Sequence, residues 1–428
     1  MKSLHKIILL AVMPLMGACG SMLDIEPHSA VSPTVVGSGD IEALRVGMYS
    51  KVQEGPSTYS YIAFDLFGGE LMTSTGRPID LINSLSNALH SFISSQWNGY
   101  YNALMQVNNV MSIADGLSGS ATRNRVLGEC HYFRAYIYLS LVTRFGDVPV
   151  LRQNTQDKVS RDPASEAWAL IEEDLDAATG FLNGLSADSY YYVSPAAVTA
   201  LKARVKLYLG KKGEAKELAE SLITNPNYAL DDFDKIFRSK ANKEVIFAFS
   251  CLTEDGSSIK ISNQFYSYNH PNKGSYNYRP ASDVMTMYAD NDLRKEISIT
   301  TLDNLNFINK YPSGQTGSDP VVISRLAEMY LISAEAQGRN EGLARLNELR
   351  EKRGLEALKP FSNEADFLDA ILQERRLEFL AEGFRWYDLV RTGKATQTLG
   401  TKDYQCLMPL PSRELLYNPN LKPNNPGY

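Results

Sequence analysis

Cysteine is scarce in this chain. Cys19, Cys130, Cys251 and Cys406 are the only four in 428 residues, and no two stand in a CxxC spacing. Setting Cys19 aside leaves three, far apart in sequence, which is not a disulfide framework. Histidine is as sparse. Besides His5 near the start, His28, His90, His131 and His270 are scattered, none at metal-ligand spacing, so neither metal nor cofactor is implied. Positive charge is not in excess: the formal net charge is −6 and there is no basic stripe, which argues against a nucleic-acid partner. No apolar run is long enough to span a bilayer. Nucleophile-elbow, zinc-protease and phosphate-loop motifs are all missing. Gly210-Lys211-Lys212-Gly213 reads as an inter-helix turn, not a phosphate cradle.

What is present begins with a targeting segment. Lys2 and Lys6 form a positive start, Ile7 to Leu15 a short apolar stretch, and Met16-Gly17-Ala18-Cys19 looks like a lipobox, in which small residues precede an acylated cysteine. An ordinary signal-peptidase site near Ala18 is the alternative. Residues 1–18 are thus expected to be a lipoprotein leader and 19–39 a tether anchored to a membrane through Cys19, extended over Asp24 to Val36. More than one acyl chain makes such an anchor stable. Without residues 1–18 the charge becomes −8, because two lysines and no acid are lost (41 basic against 49 acidic).

The body reads as mostly helical. Apolar spacing predicts helices over about Asp40–Gln53, Gln96–Ala114 and Arg123–Arg144, the last apolar nearly all round and therefore buried. Trp97 fits a core position beside Tyr101 and Leu104, and Cys130 fits a small core residue. Asp162 is the expected N-cap of a helix reaching Leu182, and Ser194-Pro195 opens another. Residues 194–225 form two helices divided by the glycine-lysine turn, and 323–353 repeat that layout, as tetratricopeptide helix pairs do. Residues 54–96 lack steady periodicity and read as loops. Residues 226–322 read as an irregular subdomain with little β structure, Val245–Phe249 being a short strand.

The stretch 374–393, ERRLEFLAEGFRWYDLVRTG, organises the rest. It reads as a helix, a break at Gly383, and a second short helix. Charges this dense among aromatics predict a buried ion-pair network, because unpaired buried charge is costly. A catalytic carboxylate pair is the alternative there. With GECHYFRAYIYLSLVTRFGDVP, the block ending at Asp292 and Arg294, and the C-terminal LMPLPSRELLYNPNLKPNNPGY, this stretch resembles the SusD-like (RagB/SusD) nutrient-binding lipoproteins over the whole mature chain. In that comparison 40–225 is an N-terminal helical region with the 54–96 insertion, 226–322 the loop-rich subdomain, and 323–428 a C-terminal helical region. Asp292 and Arg294 are read as structural.

The resemblance implies an outer-membrane lipoprotein facing the cell exterior. It would bind a glycan and deliver it to a SusC-like TonB-dependent transporter, with no enzyme activity. A peptide ligand and a lipid-anchored glycosidase are the alternatives. Sugar rings lie flat on Tyr or Trp while their hydroxyls need polar neighbours, and loops on a rigid scaffold are the usual place for such sites. Two clusters fit: Tyr59, Tyr61, Asp65 and Arg77 in the first loop region, and Tyr266, Tyr268, His270, Tyr276, Tyr278 and Arg279 in the second. The alternative is that these aromatics pack the loops or touch a protein partner.

Overall fold

The computed structural model describes residues 39–73, 76–238, 241–251 and 257–428. The leader, Cys19 and nearly all of the tether lie outside them. In chain order the elements are α1 (Ile41–Glu54), α2 (Thr58–Phe67), β1 (Leu71–Met72), α3 (Pro78–Leu85), α4 (Ser91–Asp115), α5 (Ala121–Phe145), α6 (Ala164–Phe181), α7 (Pro195–Tyr208), α8 (Lys212–Ile223) and α9 (Phe233–Ile236). Then follow β2 (Val245–Phe249), β3 (Arg279–Pro280), α10 (Lys295–Ser298), β4 (Ile299–Leu302), β5 (Leu305–Ile308) and β6 (Val321–Arg325). The chain ends with α11 (Leu326–Lys352), α12 (Glu364–Glu378), α13 (Arg385–Arg391), α14 (Ala395–Leu399) and α15 (Ser412–Tyr417). The protein is mostly helical, as expected, and no described helix is long and apolar enough to cross a membrane.

The helices pack in order: α4 on α5, α5 on α6, α6 on α7, α7 on α8, α8 on α11, and α11 on α12. α11 is two helices joined at Gly338, whose positive φ of 73° lets the chain reverse between them. α5 is buried almost all round from Val126 to Phe145, and Cys130 is fully enclosed. Trp97 is buried against Tyr101 and Phe145, with ring centroids 5.0 Å from each. Ser194 caps α7, its hydroxyl accepting from the Ala197 N–H at 3.1 Å with Pro195 at the first turn.

Two expectations fail. Asp162 does not cap α6. The Asp147 carboxylate takes the Ala164 N–H at 2.8 Å instead, while Asp162 accepts from the Val150 N–H at 2.7 Å and bridges Val148 through its backbone. Residues 54–96 are not mainly loops, because α2, α3 and the start of α4 lie there. α2 buries eight of its ten residues, so it shows no polar face and no helical period.

The β structure consists of three two-stranded antiparallel pairs. β2 pairs with β6, with Phe249 opposite Val321, and β4 with β5 as a hairpin. β1 pairs with β3, placing Leu71 opposite Pro280 and Met72 opposite Arg279.

The charges around 374–393 form the predicted network. Glu378 is fully buried and accepts from Arg325 at 2.6 Å, Arg353 at 2.8 Å and Arg294 at 2.8 Å. Asp292 holds the other side of Arg294, so both are structural. Glu244 shares Arg325 and Arg353, Glu382 shares Arg325 with Lys310, and Glu374 meets Arg350 and Arg294. Five cations (Arg294, Lys310, Arg325, Arg350, Arg353) thus face five carboxylates (Glu244, Asp292, Glu374, Glu378, Glu382). A second chain runs Arg375–Asp388–Arg391–Glu335, and the Arg375 guanidinium lies over the rings of Phe379 and Phe384.

One buried acid sets a pH dependence. Asp319 accepts from the Ser313 N–H and hydroxyl, and burial pushes its carboxyl up to about 6. The folded protein therefore holds this proton more tightly than the unfolded chain does. Its contribution is complete below about pH 4 and is lost as pH rises through about 6. The stability of the wild type relative to Asp319→Asn is expected to fall by up to about 3 kcal/mol across that window, as read by urea unfolding at several pH values. A flat difference would show that Asp319 does not titrate this way.

Candidate functional site

The two aromatic clusters picked out in the sequence are about 200 residues apart, and the fold brings them together. Tyr59 on α2 meets Tyr278, just before β3, edge-on with ring centroids 6.3 Å apart and planes at 89°. Phe92, at the start of α4, also lies 6.2 Å from Tyr59, centroid to centroid. The β1–β3 ladder holds the two segments in register, and the Ala281 N–H extends it to the Glu70 carbonyl at 2.9 Å. The Tyr278 N–H donates to the Gln264 carbonyl at 3.1 Å and Asn277 donates to the Gln264 side chain at 2.8 Å. Burial pushes the Tyr278 phenol up to about 12, so it stays a neutral donor at ordinary pH.

The same segments carry charge. Arg77, just ahead of α3, is exposed and gripped by Asp80 at 3.0 Å. Arg279 stands opposite Met72 in the ladder, with its Nε buried and unpartnered. Tyr268 is 72% exposed, with the Lys273 ammonium 5.9 Å from its ring.

The other candidates belong to the fold's interior. Tyr61 is buried, its hydroxyl donating to the Gln53 carbonyl and its ring against Phe249. Asp65 is fully buried, and its two oxygens take the N–H groups of Ala381 and Gly383, each at 2.8 Å. Gly383 has φ of 77°, and a Cβ there would sit 2.6 Å from the Tyr61 carbonyl oxygen. This contact locks α2 under the break between α12 and α13. Tyr266 is buried and stacks on His270 at 4.3 Å, and both rings pack on Phe307 of β5. Burial lowers the His270 pKa. Tyr276 lies 5.2 Å from Phe307 and donates its hydroxyl to the Asn306 carbonyl, so it is half-buried in the same cluster. Tyr61, Asp65, Tyr266 and His270 are thus buried and held by contacts within the fold.

Two hollows lie elsewhere. A cavity of about 90 Å³ between α2, α5 and the 381–384 break is lined by Arg144, Arg204, Tyr100 and Tyr136. It has room for waters rather than a sugar ring. A hollow of about 500 Å³ lies between α1 and the loop before α7, walled by Tyr49, Tyr191 and Tyr192. The run Tyr190-Tyr191-Tyr192 between two helices was the sequence signal for it. Among the described residues no His, Cys, Asp and Glu group is arranged to hold a metal ion.

The fold and these sites can be set beside known proteins. The family model described as the SusD family matches residues 304–406, and that described as "Starch-binding associating with outer membrane" matches 21–209. The chain is thus similar to the SusD-like family over both of these segments. Among its SusD-like relatives, SusD-like protein P38 of Formosa agariphila is 26% identical, with 98% of each chain covered. Among solved structures, a laminarin binding SusD-like protein superposes with a TM-score of 0.76 at 23% identity, covering 92% of this chain and all of the other. Surface glycan-binding protein A from Bacteroides fluxus superposes with a TM-score of 0.77 at 23% identity, with the same coverage. The SusD-like scaffold thus carries Tyr59 on α2 and Tyr278 just before β3.

Proposed function

We propose that this SusD-like protein captures an oligosaccharide on the face built by Tyr59, Tyr278, Arg77 and Arg279, with Tyr268 and Tyr276 beside it. The observation that carries this reading is the meeting of Tyr59 and Tyr278 across the β1–β3 ladder. Half-buried rings next to charged, hydrogen-bonding side chains match the two-sided chemistry of a sugar. Structural relatives named for laminarin and surface-glycan binding support it. In this reading the ligand is held here, intact, and handed to a SusC-like TonB-dependent transporter. The chain is tethered to the outer membrane through acylated Cys19 and faces outward.

Binding fits this face better than hydrolysis does. A glycosidase needs two carboxylates free to act on either side of the bond. Three acids on the segments that carry this face are engaged by the fold: Asp65 by two backbone N–H groups, one oxygen of Glu70 by Arg376 at 2.8 Å, and Asp80 by Arg77.

Calorimetry against a panel of glycans and peptides tests the reading. Tyr59→Ala and Tyr278→Ala are each expected to weaken glycan binding roughly 2- to 12-fold, from about 0.5–1.5 kcal/mol per aromatic contact. The ligand should be recovered uncut. Unchanged affinity in the double variant would remove this face from the function. Peptide binding would replace the ligand class, and cleaved glycan would replace binding with catalysis.

A further inference from the structure

A third hollow, a groove of about 510 Å³, lies between the middle of α4, the loop after α5, and α15. That is within the roughly 300–1,000 Å³ of small-ligand sites. Phe92 touches the Tyr59 face and Tyr101 lines the groove, nine residues further along α4. Nine residues advance a helix by about 13–14 Å and turn it by about half a revolution. The groove therefore opens on the opposite side of α4 from the Tyr59–Tyr278 face.

Its floor and rim are fixed. The Tyr101 hydroxyl donates to the Pro149 carbonyl at 3.0 Å, and the ring packs on buried Trp97. Asn418 and Asn420 donate to the carbonyls of Val159 and Lys158 at 2.7 and 2.6 Å, pinning the end of α15 to the loop after α5. On this rim Tyr417 is 58% exposed, with the Arg413 guanidinium 5.2 Å over its ring.

Four other polar side chains lining the groove are little used by the fold. Among the described residues the side chains of Asn98, Asn102 and Glu414 make no hydrogen bond or ion pair, and Arg413 reaches only the Tyr417 hydroxyl, at 3.3 Å. This contrasts with neighbouring asparagines such as Asn108, Asn154 and Asn425, whose amides bind carbonyls of the fold. Asn98 and Asn102 stand four apart on α4, so both amides project on one face. We propose that this groove is a second saccharide-binding site. A pyranose ring rests on Tyr417 and against Tyr101, and its hydroxyls are taken by Asn98, Asn102, Arg413 and Glu414. The ligand class is a neutral oligosaccharide, because one cation and one anion side by side can share hydroxyls without demanding a charged partner. A glycan bound at both faces dissociates more slowly than from either alone.

Hydrogen–deuterium exchange of the protein with laminarihexaose, maltohexaose, xylohexaose and mannohexaose, each at millimolar concentration, tests this. At least one hexasaccharide is expected to slow exchange in peptides covering 98–102 and 412–418. The double variant Asn102→Ala, Tyr417→Ala should need at least tenfold more ligand for the same protection. Leu416→Ala, an exposed neighbour at 73%, should behave as wild type. Peptides covering 276–280 report the first face separately, so loss of either site is read without the other. No protection at 98–102 and 412–418 by any hexasaccharide, or protection unchanged in the double variant, overturns the proposal.

Discussion

Replacing Glu378 with Ala is expected to cost about 3–5 kcal/mol of folding stability, the range for removing one partner from a buried ion pair. Glu378 sits where Arg294, Arg325 and Arg353 converge, and all four side chains are at most 2% exposed. Its loss leaves five cations facing four carboxylates with no water to replace the fifth. Glu378→Gln keeps the shape and one acceptor, so it should lose less. Burial pushes the Glu378 carboxyl up, but Arg353, Arg325 and Arg294 together outweigh it and hold the group well below the usual carboxylate range. A depressed value means the stabilisation is present above the unfolded pKa, near 4, and is lost as pH falls toward the folded value. Wild type should therefore unfold in acid more steeply than Glu378→Ala. Urea unfolding at neutral and acidic pH measures both effects. A loss under about 1 kcal/mol, the size of a surface pair, would show that the network is hydrated.

Asp65→Ala carries the second large effect, about 2–5 kcal/mol, from leaving the buried N–H groups of Ala381 and Gly383 without acceptors. Asp65→Asn should fall between, because its amide oxygen can satisfy one N–H while its NH₂ faces the other. Glycan affinity of the folded fraction should not change, since Asp65 is fully buried behind Tyr61. Unfolding and calorimetry on the same sample separate the two. Weakened binding with stability unchanged would return Asp65 to the ligand site.

Asp65 lies in a helix, α2, that reads as loop in the sequence. Helices with one wet face announced themselves. α1, α4 and the two halves of α11 follow the apolar spacing, and the break at Gly383 with its charges was read as a structural network. That inference rested on the cost of burying charge, which composition alone reveals. α2 gave no such signal. In TYSYIAFDLF every face is buried, so periodicity vanishes and the tyrosines look like loop residues. An acid inside so apolar a run was itself the clue that Asp65 had partners elsewhere. The pairing of Tyr59 with Tyr278 depends on a two-residue ladder between distant segments, which no local pattern encodes. The groove beside α15 was missed for a related reason: Asn98 and Asn102 matter because nothing satisfies them, and an unmade bond leaves no trace in a sequence.

The C-terminal segment has a consequence for how the chain is made. The Arg144 and Phe145 carbonyls at the end of α5 are satisfied by the Met408 N–H at 2.7 Å and the Asn425 amide at 2.9 Å. Asn425 lies 280 positions after Phe145. At roughly 5–20 residues per second, translation delivers it about 14–56 s later. For that interval the α4–α5 hairpin must wait with its closing edge open, because neither bond can form early. The end of α5 is therefore sealed only when Met408 and Asn425 dock on it.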